Sequence, residues 1–422
     1  GESSGGGSGE SSGGESSGGD PPQSRCGNGV VDDGETCDGG ADCHPQCVAP
    51  GTILYTVRYD GAAHREDKGY GLALDEASES FYVVGFATDD ASAGQDILLQ
   101  RRWIIDGSLQ WSRSASGGAG GEDAGENVAL DAERNPIVVG IVHEPSSGGD
   151  MFMRKYTPTG DTQWTVTHDE QGGFDRAQGV AVTGGGAIVM VGNVEIDHDG
   201  TRDADTWMRT FDGDGNPVAD ALVHGHPGAS DEAIDADAVG AGWIVTGRMT
   251  DDGPLAVWTA QYDAVGHMLW EDHVTADPNG DETRGVGMGR DPMGGSATAG
   301  VLANDIWVRH YDAFGNPGLT VTEDGPAAIH DEAADVAFVP DGSFVVVGFL
   351  DYATEGFATG DAWVRKYGPD GTPEWTDVYD GPAHEVDKAL AVVTTDDLSA
   401  IVTGYETVPG QARDVWIRRY AI

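Results

Sequence analysis

The chain has 422 residues, with 72 acidic against 23 basic side chains and a formal charge of −49. A field of that sign repels phosphate backbones and anionic lipid, so nucleic acid and bare membrane are poor partners, and it suits solubility in a salty or extracellular setting. The length exceeds an ordinary single domain, yet closed all-β repeat folds hold as many residues around one axis.

Residues 1–24 contain no aromatic or branched apolar side chain. Such a segment cannot bury enough surface to offset its chain entropy, and it reads as a disordered Gly/Ser/Glu-rich linker. A small module follows at 25–50. Its cysteines, Cys26, Cys37, Cys43 and Cys47, fall within 22 residues at spacings of 11, 6 and 4, and none occurs elsewhere. The paired C-x-x-C knuckles preferred by a four-thiolate zinc site are missing, which favours two disulfides formed in an oxidising compartment. The chain opens on Gly1 and has no apolar run of about 18 residues, predicting an export signal already removed and no transmembrane segment.

From Gly51 onward the text repeats. An apolar run ending in glycine recurs at Gly85, Gly140, Gly192, Gly247, Gly300, Gly348 and Gly404, 48 to 56 residues apart. Seven occurrences predict seven units, each of four strands. One strand carries a Trp after a turn (Trp111, Trp164, Trp270, Trp375). The next follows a D-x-A-like signature and is rich in Ala, Gly and Val, as in 331–337. The valine run before the marker glycine is the third, and the fourth is seen at 305–311, 361–367 and 414–420.

Short turns such as 368–373 and 212–217 join the fourth strand to the following Trp strand as a hairpin. The longer segment after the Trp strand is therefore the crossing between units. This places the small-residue strand innermost and the Trp strand outermost. The chain ends one strand short, and the surplus lies at the front, where 53–60 matches 373–380. The reading is an all-β, seven-bladed β-propeller of four-stranded blades over 51–422, closed by an N-terminal strand.

Several residues recur with the period. Asp67, Asp123, Asp175, Asp231, Asp281, Asp331 and Asp387 precede the innermost strand. Arg154, Arg209, Arg309, Arg365 and Arg418 lie in the fourth, replaced by Gln100 and Ala260 in two units. A residue present in almost every blade is expected to hold blades together, through Asp–Arg pairing or turn capping, and not to form a ligand ring. Trp207, Trp258, Trp307, Trp363 and Trp416 share one register and read as core. Asp197-His198-Asp199-Gly200 with Asp203 and Asp205 reads as an exposed acidic hairpin tip, with a second cation site as the alternative. Asp212–Asn216 looks like a calcium loop but sits at a hairpin turn. His64 and His384 occupy matching repeat positions. No nucleophile elbow, HExxH helix, phosphate loop or dinucleotide fingerprint occurs.

The run Cys26-Gly27-Asn28-Gly29-Val30-Val31-Asp32-Asp33-Gly34-Glu35-Thr36-Cys37-Asp38 resembles the CGNG-type cysteine-rich repeats of secreted myxobacterial proteins, and also the opening of disintegrin domains. In disintegrins the matching segment wraps calcium. The resemblance thus implies Asn28, Asp32, Glu35 and Asp38 as Ca²⁺ ligands, with main-chain oxygens near Arg25 and Val30. Several hard oxygens on a pinned loop suit that ion. The repeats at 51–422 resemble the propellers of surface lipoproteins in the same bacterial group, implying a fold and an address at the outer cell surface. Together these readings predict an exported, non-enzymatic binding or structural protein with an extracellular protein or glycan partner. The alternatives are a self-associating fibre or coat subunit, and a polysaccharide-active propeller enzyme.

Overall fold

The computed structural model describes residues 44–422 except 90–93, 119, 146–147, 226–227, 251–253, 276–281, 326–329 and 355–356, with backbone alone at 351–354 and 357–359. The chain divides into two units, Gly1–Ala49 and Pro50–Ile422. In the described part of the first, His44 and Cys47 are buried and the Cys47 N–H donates to the His44 carbonyl at 2.8 Å. Asn28, Asp32, Glu35, Asp38, Cys26, Cys37 and Cys43 lie outside the described residues.

The second unit folds into seven four-stranded antiparallel sheets. In blade 6 the order outward from the axis is Asp331–Phe338, Phe344–Thr354, Phe357–Tyr367 and Pro373–Tyr379. This is the predicted order, with the small-residue strand inside and the Trp strand outside. Innermost strands touch in sequence around the axis, and Lys388–Thr395 of the last blade touches Lys68–Asp75 of the first, so the ring is closed.

Each blade is sandwiched between two others, and that position explains the hydrophobic pattern. The second strands have both faces covered, and Ser80–Ala87 and Ser399–Thr407 are buried at every residue. They consequently read as unbroken apolar runs, not as alternation. Outer strands have one face against a neighbour and one in solvent, so Thr162–His168 alternates between half-buried and exposed.

Closure uses the surplus strand. Ile53–Tyr59 pairs antiparallel with the final strand, Thr56 opposite Arg418 and Val57 opposite Ile417. Gly51 N–H donates to the Ala421 carbonyl at 2.8 Å, and Ala421 N–H to the Thr52 carbonyl at 2.9 Å. Tyr55, Val57 and Tyr59 pack on a cluster that contains Phe81 and Val83 of blade 1 and Ile401 and Ile417 of blade 7. The seam is therefore apolar as well as hydrogen-bonded.

The marker glycines have one cause. Every innermost strand carries a register shift at the same place, Ala333/Asp335 in blade 6 and its equivalents elsewhere. A β-bulge there drives the strand backbone toward its neighbour. A Cβ on Gly348 would overlap the Glu332 carbonyl oxygen, and one on Gly85 that of Lys68. On the other side each marker glycine faces the large side chain of the third strand, Gly348 opposite Trp363 and Gly404 opposite Trp416. All five predicted tryptophans are at most 1% exposed.

The bulge also corrects one repeat assignment. In six blades the recurrent Asp lies two residues before the first bulge residue, as Asp331 does before Ala333. In blade 5 the bulge falls between Gly285 and Gly287, which puts Thr283 at that position. The expected Asp281 lies outside the described residues and two positions upstream of the site it was assigned. It was chosen by residue type, whereas register decides.

Candidate functional site

Strand direction separates two faces. On one, turns such as 131–135, 263–267, 312–316 and 368–372 are short and alike. Asp212, Asp263 and Asp312 there accept N–H groups two and four residues on, for example Asn216 N to Asp212 Oδ1 at 2.9 Å. Asp212–Asn216 is thus a turn, as its position implied. The opposite face carries the crossings 60–67, 116–123, 169–175 and 380–387, together with hairpins of differing length.

Among those hairpins, the one in blade 3 joins two 11-residue strands, Ile188–His198 and Thr201–Phe211. Its two-residue tip is Asp199-Gly200, with φ of 55° and 94°. Positive φ at both positions is the hairpin turn for which Asp-Gly is suited. His198 Nε2 lies 2.9 Å from Asp205 Oδ2 and 3.4 Å from Asp203 Oδ1, and the Asp205 contact raises the histidine pKa. A cleft of about 260 Å³ opens at the hairpin foot, lined by Phe174, Arg176, Gln178, Asn193, Glu195 and Asp203 among others. Phe174 is 47% exposed there. Around the axis on this face the charges pair: Arg176 with Glu126 at 2.7 Å, Arg248 with Glu232 at 2.7 Å and Arg284 with Glu332 at 3.0 Å.

The recurrent aspartates cap and do not pair with arginine. Asp67 accepts Gly61 N–H at 2.5 Å and Thr88 N–H at 2.8 Å. Asp123 accepts Gly117 N–H and His143 N–H, both at 2.6 Å. Each therefore staples a crossing to the hairpin of the blade it enters. Thr283 does the same with a hydroxyl, accepting Ala303 N–H at 3.3 Å.

Three of the arginines, Arg309, Arg365 and Arg418, instead bind the preceding blade. Arg418 Nη1 reaches Asp377 Oδ2 at 2.9 Å and Tyr420 Oη donates to the same oxygen at 2.7 Å. Arg309 and Tyr311 share Asp272 in the same way, and Arg365 and Tyr367 share Glu323. Backward, Arg418 Nε donates to Thr56 at 3.1 Å and Arg365 Nε to Thr376 at 2.7 Å. One guanidinium thus ties its own outer strand to the neighbouring blade.

At two blade junctions carboxylates converge. Asp60, Asp67 and Asp414 form one group and Asp361, Asp380 and Asp387 the repeat-equivalent one, ligand atoms lying within 4.8 Å of each other. Burial pushes Asp414 up to about 7 and Asp67 and Asp387 up to about 6, and neighbouring carboxylates add to it. Sequence reasoning found one member of each trio and missed Asp414 and Asp361, which stand two residues before Trp416 and Trp363, and Asp60 and Asp380 in Asp-Gly pairs opening the crossings.

A cavity of about 610 Å³ runs along the axis, lined by innermost strands and including Asp235, Asp237, Asp335, Asn127 and Arg290. Asp235 accepts Asn127 Nδ2 at 2.8 Å and Met288 N–H at 3.0 Å, and Asp335 accepts Val392 N–H at 2.9 Å. The Met288 and Val392 contacts bridge adjacent blades, and the Asn127 contact reaches past blade 3 to join blade 2 to blade 4. Burial raises the pKa of both, Asp335 to about 7.

No family model matches the chain, and no curated protein does. Solved structures similar in fold include a protein of unknown function from Dyadobacter fermentans, at 10% identity and TM-score 0.46 over 88% of this chain and 99% of that one. Another, from Bacteroides caccae and also of unknown function, gives 9% identity and TM-score 0.41 over 70% and 93%. Drosophila Plexin A, solved with Semaphorin 1b, gives 9% and 0.47 over 87% of each chain. Among the described residues no helix is long and apolar enough to cross a membrane.

Proposed function

We propose that the chain is an exported, non-enzymatic binding protein that presents the variable face of its propeller to an extracellular protein or glycan. Residues 1–24 serve as a flexible stalk, and 25–50 as a disulfide-bonded spacer that takes Ca²⁺ on Asn28, Asp32, Glu35 and Asp38. The observation that supports this reading most is the difference between the faces. Short self-satisfied turns crowd one, while the other concentrates the long hairpins of blades 3 and 6, the cleft beside Phe174 and the unequal loops. Binding residues gather on loops held by a rigid scaffold. The propeller's first strand begins on the regular side, beside Ala421.

The test is to screen the labelled full chain at physiological salt against glycan and extracellular-protein arrays. A variant with 197–202 replaced by Asp-Gly runs in parallel. Binding that falls at least tenfold in the variant, at an unchanged melting temperature, supports the proposal. New reducing ends or unsaturated products from a bound glycan overturn its non-enzymatic part.

A further inference from the structure

From the carboxylate groups at the blade junctions we infer that the propeller binds a calcium-class divalent cation between its last and first blades, at Asp60/Asp67/Asp414. This trio offers three ligand oxygens within 4.8 Å of one another. Proximity of acids alone would not make a site. The decisive feature is that two of its oxygens have nothing else to do.

Asp414 is 5% exposed, and its Oδ1 is fully buried without a hydrogen-bond partner, as is Oδ1 of Asp60. A buried carboxylate oxygen left unpaired forfeits its hydration for nothing, so such atoms are rare unless an ion or water meets them. Two lone oxygens aimed into one acidic space ask for a cation. The charges facing this space are few. His64 Nδ1 approaches Asp60 Oδ2 at 2.5 Å from the solvent side, and Arg58 is already committed to Glu406 and Tyr379.

The repeat supplies an independent comparison. Blade 3 has the same orphan at the same position, Asp205 Oδ1 at 2% residue exposure, and blade 2 has Asp150 Oδ1 at 6%. Where the crossing enters blade 5, the two equivalent positions are Ala256, opposite Met249 in register, and Thr283. Both carboxylates are lost together there, as expected if the pair has meaning only jointly. Hard anionic oxygens suit Ca²⁺, whose coordination tolerates irregular geometry, better than Mg²⁺.

The experiment is calorimetric titration of the full chain with CaCl₂ at 0.15 M NaCl, compared with Asp60→Asn/Asp414→Asn and with Asp32→Asn in the cysteine module. The junction variant is expected to lose one equivalent of Ca²⁺. The module variant is expected to keep the junction equivalent, which separates this inference from the calcium role proposed for residues 25–50.

Melting curves give a second readout that does not depend on counting. Because the amides remove charge repulsion, Asp60→Asn/Asp414→Asn should melt above the parent in chelator and below it in millimolar Ca²⁺. That reversal is what a purely structural role would not produce. An unchanged stoichiometry in the junction variant, the same order of melting with and without Ca²⁺, or an equal response to Mg²⁺ overturns the inference.

Discussion

Arg418 and Thr56 stand 362 positions apart in the chain and opposite each other in one sheet, with Arg418 Nε donating to Thr56 Oγ1 at 3.1 Å. The same guanidinium reaches Asp377 of the preceding blade at 2.9 Å. The contact that finishes the seventh sheet is therefore also one that fastens it to the sixth.

Removing residues 1–61 deletes that strand. Tyr55, Val57 and Tyr59 lose their cluster and the final strand gains an open edge. The cost is on the order of 5 kcal/mol from three partly buried side chains, and unpaired edges recruit other chains. Size exclusion should show aggregates and calorimetry a much lower melting temperature.

Gly348→Ala should cost about 1–3 kcal/mol, as overpacking does, because its Cβ meets the Glu332 carbonyl and not a yielding side chain. Gly213, with nothing within 4 Å, is the control. Gly213→Ala should leave urea unfolding unchanged.

Asp123→Ala should destabilise by about 2–6 kcal/mol, since two N–H groups, of Gly117 and His143, lose their acceptor at about 1–3 kcal/mol each. Binding measured well below the new melting temperature should persist. Abolished binding in a fully folded variant would indicate a ligand contact in place of a staple.

In chelator, stability should fall as pH rises from about 4 to about 7. Asp67, Asp387 and Asp414 hold their protons longer folded than unfolded, with folded values of about 6, 6 and 7 against 3.8. Their protonated forms favour folding below the unfolded value, and that contribution vanishes as pH passes the folded values. Glu332 and Asp397, whose pKa values are lowered, act oppositely in acid. The melting temperature should peak near pH 4, and Asp414→Asn should flatten the decline above it.

Blade number, strand order and closure were all legible before any coordinates, because a propeller writes each feature seven times and the mismatch at the two ends exposes the shared blade. What stayed hidden depended on register or on neighbours across a junction. Thr283 could not be aligned by residue type, since only the bulge at Gly285/Gly287 reveals its place. Asp272, Glu323 and Asp377 carry no local mark as partners of an Arg and Tyr about 40 residues later. The orphan oxygens of Asp414 and Asp205 are invisible in sequence, because being unpartnered is a property of surroundings.

The incoming end of Ile53–Tyr59 lies beside Ala421, and its far end leads into the crossing at 60–67. Tension between residue 50 and a ligand held on the variable face would pull that strand lengthwise against Arg413–Ala421. Its rungs would then share the load in shear instead of parting singly like a zipper, which makes the seam a mechanically strong place to attach a tether.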